Sequence, residues 1–490
     1  MKLRFRTFEQ IGISVVLVAG LMIACSKDST PDPGPPAPLA EIGKATVYLT
    51  TGDQSRLLHK ESDISIVRPA ATAIPVIMID VSQKFQEIEG FGAALTGSSA
   101  YVINRKLGAG SRAALLDDLF DPAKGIGITY LRVTMGASDF SLEDFTYNDM
   151  AAGETDFGLE HFTIDKDLDD VVPVLKAIAR VSGDVKIMAT PWSPPAWMKT
   201  NTSLLGGKLR TDCYQVYADY FVHYIQAFKK EGITINAITP QNEPLYSTAP
   251  YPCMDMQPGE QTTFIKDHLG PAFDAAGLKT EIIVYDHNWD HPEYAMGVLN
   301  DAAAKAYVTG SAFHGYGGNV SAMTTVHAAH PDRGVYFTEV TGTDQFTVFS
   351  DNIQWNMDNV FIGTTKNWSK NALLWNLALD ENHGPRNNGC ADCRGVITID
   401  ASGNVTRNVE YYSIGHFSKF IRPGAVRVAS SLSPGVNGLS FVSFINADGG
   451  RVLVMSYKGS DNPQVVVKEG DAQFTHTLSP ASVTTITWKL

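Results

Sequence analysis

Between residues 87 and 380 the chain alternates short β-branched runs with longer amphipathic stretches, and it does so eight times. Strand candidates lie at 90–96, 128–135, 185–190, 235–240, 281–285, 311–316, 335–338 and 372–377. Segments such as 111–120, 165–180, 214–230 and 260–276 repeat apolar residues at three- and four-residue intervals, the mark of helices with one buried face. Parallel strands need a crossover of a dozen or more residues, and a helix is the usual one. Eight such units predict an α/β fold, a (β/α)8 TIM barrel over residues 87–421. The 490-residue chain is longer than that barrel. Residues 44–86 and 422–490 are rich in Val, Ser and Thr, with turn signals such as Asp448-Gly449-Gly450 and Lys458-Gly459-Ser460. Either piece alone would expose strand edges, so the two are expected to form one β-sandwich beside the barrel.

The N-terminus follows other rules. Lys2, Arg4 and Arg6 precede an apolar run from Ile11 to Ala24, too short to span a bilayer comfortably, and Cys25 follows. Leu21-Met22-Ile23-Ala24-Cys25 resembles a bacterial lipobox, with Met22 where Leu is usual. Residues 1–24 are therefore expected to be a lipoprotein signal peptide and Cys25 the lipidated residue. Residues 25–43 form a Pro-rich tether, with five prolines between Ser26 and Ala40. The expectation is export, with a lipid anchor holding the protein to a bacterial membrane, the outer membrane by preference, as a monomer. An oxidising compartment lets Cys213, Cys253, Cys390 and Cys393 form two disulfides, with the pairing open. The single C-x-x-C at Cys390 and Cys393 reads as a loop staple rather than a metal site, since a zinc ribbon needs two such pairs. A formal net charge of -13 with no basic run argues against a nucleic-acid partner.

In a barrel of this kind the chemistry sits just after the strands. Asp139-Phe140 follows the second strand and Pro191-Trp192-Ser193-Pro194-Pro195 the third. The fourth runs into Gln241-Asn242-Glu243-Pro244, the sixth into His314-Gly315-Tyr316, the seventh into Glu339-Val340 and the eighth into Trp375-Asn376. Flat aromatic faces suit the C–H faces of sugar rings, amides and carboxylates suit hydroxyls, and two acids suit glycosidic bond cleavage. A lone Glu is ordinarily a solvated surface residue. Glu243 and Glu339 instead end strands four and seven, across the barrel mouth, where about 5 Å of separation would suit a retaining double displacement. Asn242 beside Glu243 points to Glu243 as acid/base and Glu339 as nucleophile, with His314 and Tyr316 expected to hydrogen-bond Glu339. The competing class is a surface glycan-binding lipoprotein without catalysis, which would not need both glutamates.

Gly90-Phe91-Gly92-Ala93-Ala94-Leu95-Thr96, Leu131-Arg132-Val133 through Asp139-Phe140-Ser141, Pro191-Trp192-Ser193-Pro194-Pro195, Asn242-Glu243-Pro244, Trp375-Asn376-Leu377-Ala378-Leu379 and Gly415-His416-Phe417-Ser418-Lys419-Phe420-Ile421 together resemble glycoside hydrolase family 30, whose members include glucocerebrosidase. The resemblance implies net retention, no metal and no organic cofactor. It places Asp139, Trp192, Asn242, Tyr251 and Trp375 around the glucose on the non-reducing side, and Arg132, His314 and Tyr316 in support of the catalytic pair. The sequence departs from glucocerebrosidase at Gly315, where the relative has tryptophan; losing that wall would leave room for a polymer. The tether and anchor favour a polysaccharide substrate. The expected activity is thus endo-β-1,6-glucanase on pustulan or fungal β-1,6-glucan, with an exo-acting β-glucosidase, glucosylceramidase or β-xylosidase as the alternative.

Overall fold

The computed structural model describes residues 40–490, and the expected signal peptide and lipidated Cys25 lie outside the described residues. Eight parallel strands run in chain order around a barrel: Gly90–Leu95, Tyr130–Thr134, Lys186–Thr190, Ala237–Ile238, Glu281–Asn288, Val308–His314, Gly334–Glu339 and Asn371–Leu374. All eight fall on the stretches read as strands. The ring closes where the Lys370 N–H donates to the Val335 carbonyl at 2.8 Å, beside a parallel bridge from Val335 to Ser369. A packed layer of Tyr130, Met188, Ala237, Ile283, Ala312, Tyr336 and Leu373 fills the interior, so the barrel is a core and not a pore. The glycines of the first strand have a steric cause: a Cβ on Gly92 would meet the Tyr130 carbonyl oxygen at 2.0 Å.

Local chemistry sets where helices begin and break. The Thr96 hydroxyl accepts from the Ser99 N–H and caps Gly97–Arg105, while donating to Asn376 Oδ1 at 2.9 Å and so tying the first strand to the loop after the eighth. Tyr214–Lys230 forms as read, burying Tyr217, Tyr220, Phe221, Tyr224 and Phe228 along one face. The stretch read as one helix over 165–180 is two, because Asp170 leaves helical geometry at φ -138° between Asp165–Asp169 and Val171–Val181.

The two termini build one β-structure, as their edges required. Strand Glu41–Thr51 pairs with Ser482–Trp488 from Ala45 to Thr51, and Val76–Glu87 lies between Val426–Ser433 and Gln464–Glu469. Glu41–Thr51 also pairs with Ile64–Val67, which closes the sheet on itself and covers its edges. Glu41 and Gly43 belong to this ladder, paired with Val67 and Ile66, so the sandwich starts before residue 44.

The last barrel helix, Val409–Ser418, joins the two cores through His416. Its ring is fully buried, with Nδ1 2.8 Å from Thr485 Oγ1 and Nε2 2.8 Å from Thr50 Oγ1. Burial with no counter-charge pushes this imidazole down to about 3, against 6.5 in an open chain. The unfolded chain therefore binds the extra proton between those values. Stability from His416 is present above pH 6.5 and should fall by about 1.4 kcal/mol per pH unit below it. Thermal melts from pH 7.5 to 5 test this: His416→Gln should melt lower at pH 7.5 yet lose less on acidification. Parallel slopes for the two proteins would refute it.

Candidate active site

Glu339 ends the seventh strand with its carboxylate held on both sides. Oε2 accepts from Arg132 Nη1, and Oε1 accepts from the Tyr316 hydroxyl at 2.9 Å. Glu243 stands just beyond the short fourth strand, 16% exposed against 7% for Glu339, and its Oε1 lies 3.0 Å from His314 Nδ1. Carboxylate oxygens of Glu243 and Glu339 and a nitrogen of His314 all lie within 4.8 Å of one another. The two glutamates thus meet at the barrel mouth as read from their strands. His314, however, sits 3.9 Å from Glu339 and hydrogen-bonds Glu243 instead. The expected pairing is corrected because the sixth-strand end carries the ring toward the fourth strand, while Tyr316, two residues on, takes Glu339.

A carboxylate that the sequence reading passed over organises this cluster. Asp286 lies in the fifth strand, two residues before its end, fully buried, and accepts from Arg132 Nη2 at 2.9 Å, His314 Nε2 at 3.1 Å, and the hydroxyls of Thr338, Thr239 and Thr190 at 2.6, 2.7 and 3.3 Å. It links the cation on Glu339 to the imidazole on Glu243. The signal was in the sequence: Tyr285-Asp286-His287-Asn288 closes a barrel strand as Glu243 and Glu339 do. Holding this geometry strains the backbone. Glu243, Tyr285 and Asp286 have φ of 43°, 74° and 65°, a region that costs side-chain-bearing residues about 1–3 kcal/mol each. The Glu243 N–H donates to the Asp286 carbonyl at 3.0 Å and fastens one strained residue to another.

The electrostatics follow from burial with fixed charge. Asp286 is held far below the usual carboxylate range: burial opposes ionisation, but the Arg132 charge and the His314 hydrogen bond outweigh it. His314 is pushed up to about 9; burial would lower it, and the Glu339 charge with the Asp286 and Glu243 hydrogen bonds prevail. Burial raises Glu339 beyond what His314 and Arg132 offset, whereas for Glu243 the His314 hydrogen bond and charge win over burial and lower it. Asp139 is pushed well up by burial and by the charges of Glu339 and Glu243. Three donors within 4.8 Å, Glu243, His314 and Glu339, have the spacing of a cation site. Both His314 nitrogens are taken up by carboxylates, Nδ1 by Glu243 at 3.0 Å and Nε2 by Asp286 at 3.1 Å, so the ring has no nitrogen free for a metal.

A cavity of 420 Å³ opens above this cluster, lined by Asp139, Trp192, Asn242, Tyr251 and Trp375 as well as the two glutamates. Every residue expected to bind sugar is therefore brought to one place. Trp192 and Trp375 stack at 5.1 Å, and the Arg132 guanidinium lies 5.0 Å from the Trp192 ring while donating to Asn242 Oδ1 at 2.6 Å. The C-x-x-C pair is joined as one disulfide in the cavity wall. Two bridges were open to the four cysteines, but Cys213 and Cys253 are free and buried, Cys213 in the barrel core and Cys253 accepting N–H groups of Gly206 and Thr248. Gly315 does not open the cavity. A Cβ there would meet Phe337 and Val340 at 3.1 and 3.2 Å, so the position faces the seventh strand, and neither neighbour lines the cavity.

Comparison with known proteins agrees with this geometry. Residues 88–421 match the model of the glycosyl hydrolase family 30 TIM-barrel domain, and residues 424–486 that of the family 30 beta sandwich domain. An endo-1,6-beta-D-glucanase of Neurospora crassa is 35% identical over 402 residues, 79% of this chain and 82% of its own length. The lysosomal acid glucosylceramidase of Mus musculus is 28% identical over 483 residues, 93% of this chain and 91% of its own. Among solved structures, the endo-beta1,6-glucanase BT3312 superposes with a TM-score of 0.85 at 35% identity, covering 91% of this chain and 99% of that one. With both domains matched in order and the barrel model alone spanning most of the chain, the protein belongs to glycosyl hydrolase family 30 and is a glycoside hydrolase.

Proposed function

We propose that the protein is a retaining endo-β-1,6-glucanase in which Glu339 is the nucleophile and Glu243 the acid/base. The observation that carries the mechanism is the spacing: an oxygen of one carboxylate within 4.8 Å of an oxygen of the other suits direct attack, whereas an inverting pair has its carboxyl groups about 6.5–9.5 Å apart to seat a water. Arg132 holds Oε2 of Glu339, leaving Oε1 to attack the anomeric carbon with the Tyr316 hydroxyl in support. Glu243 gives its proton to the leaving oxygen as the C1–O bond breaks and Glu339 becomes a glycosyl ester. In the second step Glu243 takes a proton from water, the water oxygen bonds C1, and the ester bond returns its electron pair to Glu339. Support for the linkage comes from the endo-1,6-β-D-glucanases among the relatives.

Incubation of the purified protein with pustulan tests the reading. A ladder of oligosaccharides is expected. Glucose alone would mean exo action, and no cleavage of pustulan or of aryl β-glucosides would sink it.

The acid's proton is shared with His314, 3.0 Å away. The pair keeps it until the imidazole, raised to about 9, gives it up. Activity that needs this proton is retained below that pH and lost above it. In His314→Gln, Glu243 holds the proton alone, so the basic limb of kcat/KM should move down by about one unit or more. A basic limb that stays in place would show that the proton does not reside on the pair.

A further inference from the structure

A line from Glu243 to Glu339 divides the barrel mouth, because the two residues follow strands four and seven. On one side lie the ends of strands eight, one, two and three, with Trp375, Asp139 and Trp192. The other side holds only the ends of strands five and six, with His287, Asn288 and Tyr316. The scissile bond must lie between the carboxylates, so its two sugars fall on opposite sides of that line. The stacked tryptophans and Asp139 take the glycone side. What remains for the leaving sugar is the end of strand five.

Two polar side chains there lack work in the machinery described so far. His287 is 7% exposed, lines the cavity, and places Nε2 4.0 Å from Glu243 Oε1, beyond hydrogen-bond distance. Its Nδ1 is buried with no partner among the described residues. Burial lowers the pKa of this imidazole, which favours the neutral ring, a donor at one nitrogen and an acceptor at the other. Asn288 spends its Oδ1 on the Tyr316 N–H at 3.1 Å and its carbonyl on the Tyr285 hydroxyl at 2.6 Å. No acceptor among the described residues takes its Nδ2. His287 Nε2 and Asn288 Nδ2 are thus polar atoms that line the cavity without a hydrogen-bond partner among the described residues, and a ligand hydroxyl can supply one.

We infer that His287 and Asn288 form the subsite of the leaving sugar, hydrogen-bonding its hydroxyls and selecting a glucose-configured acceptor. The inference rests on the glucanase reading above. A 1,6 linkage fits this placement: its exocyclic carbon sets the leaving ring one bond farther from Glu243 than a ring hydroxyl would, toward groups that lie past the acid. The same subsite receives acceptors in the reverse sense. An acceptor hydroxyl oxygen bonds C1 of the glycosyl ester, its proton passes to Glu243, and the ester bond breaks with its electron pair returning to Glu339.

That partition is the test. With an aryl β-gentiobioside as donor and gentiobiose as added acceptor, the ratio of transfer to hydrolysis compares acceptor with water for one shared intermediate. The ratio counts only molecules that turn over, so misfolded protein does not enter it. His287→Leu and Asn288→Ala should each lower the ratio ~10-fold, the weight of about one hydrogen bond, whatever happens to donor consumption. An unchanged ratio in both variants, or a wild-type protein that hydrolyses the donor and never transfers to gentiobiose, overturns the inference and leaves the glucanase reading standing. A wild-type protein inert to both donor and pustulan overturns the glucanase reading itself.

Discussion

Glu339→Ala should lose turnover on every substrate by about 10⁴-fold or more, while Glu243→Ala should lose it selectively. The asymmetry follows from the two roles. Without Glu339 no glycosyl ester forms, whatever the leaving group. Without Glu243 the ester still forms from an aryl glycoside whose phenolate leaves unaided, and only the polymer, with its alkoxide leaving group, falls by about 10²–10⁴-fold. Azide, which attacks without general-base help, should then accelerate the Glu243→Ala protein and yield a β-glycosyl azide. Kinetics on pustulan and on a dinitrophenyl glycoside, with and without azide, check both halves. Equal loss in both variants with no rescue would remove the assigned roles.

Asp286→Asn should damage activity and stability together although Asp286 touches no cavity. In the native protein its carboxylate receives five donors in full burial. An amide nitrogen in that position turns donor against donor and leaves Arg132 short of one anion. Breaking a buried ion pair from one side costs about 3–5 kcal/mol, so the melting temperature should fall by several degrees. Arg132 and His314 would then both be free to shift, and a displacement of about 1 Å at the reacting atoms costs roughly 10²-fold in rate. The His314 imidazole, deprived of a neighbouring anion, should also titrate lower and carry the basic limb of the pH profile down. A variant within threefold of wild type, with unchanged melting and pH profile, would show that Asp286 is not the organiser of the site.

The sequence by itself determined the architecture and the two acids. Strand and helix periodicity are local properties, and eight repeats of one unit leave a single economical closure, so the barrel and the ends of its strands could be read off. Because a barrel gathers its strand ends on one rim, Glu243, Glu339, Asp139, Trp192 and Trp375 are legible as one site in the sequence alone. The unpaired edges of the two terminal segments likewise required a shared sandwich.

Only the tertiary structure decided how those groups are wired. His314 turns to Glu243 and not to Glu339 on the adjacent strand, because a side chain's partner depends on strand tilt and ring direction across the barrel. Gly315 packs toward Phe337 and Val340 for the same reason: the facing of a position just past a strand end depends on the register of that strand with its neighbour, which composition does not carry. Cys213 and Cys253 stay thiols because the fold buries them in separate surroundings. Asp286 shows the limit most directly. As a letter it is one aspartate of many, and its weight comes from Arg132, His314 and three threonine hydroxyls that converge on it from other strand ends.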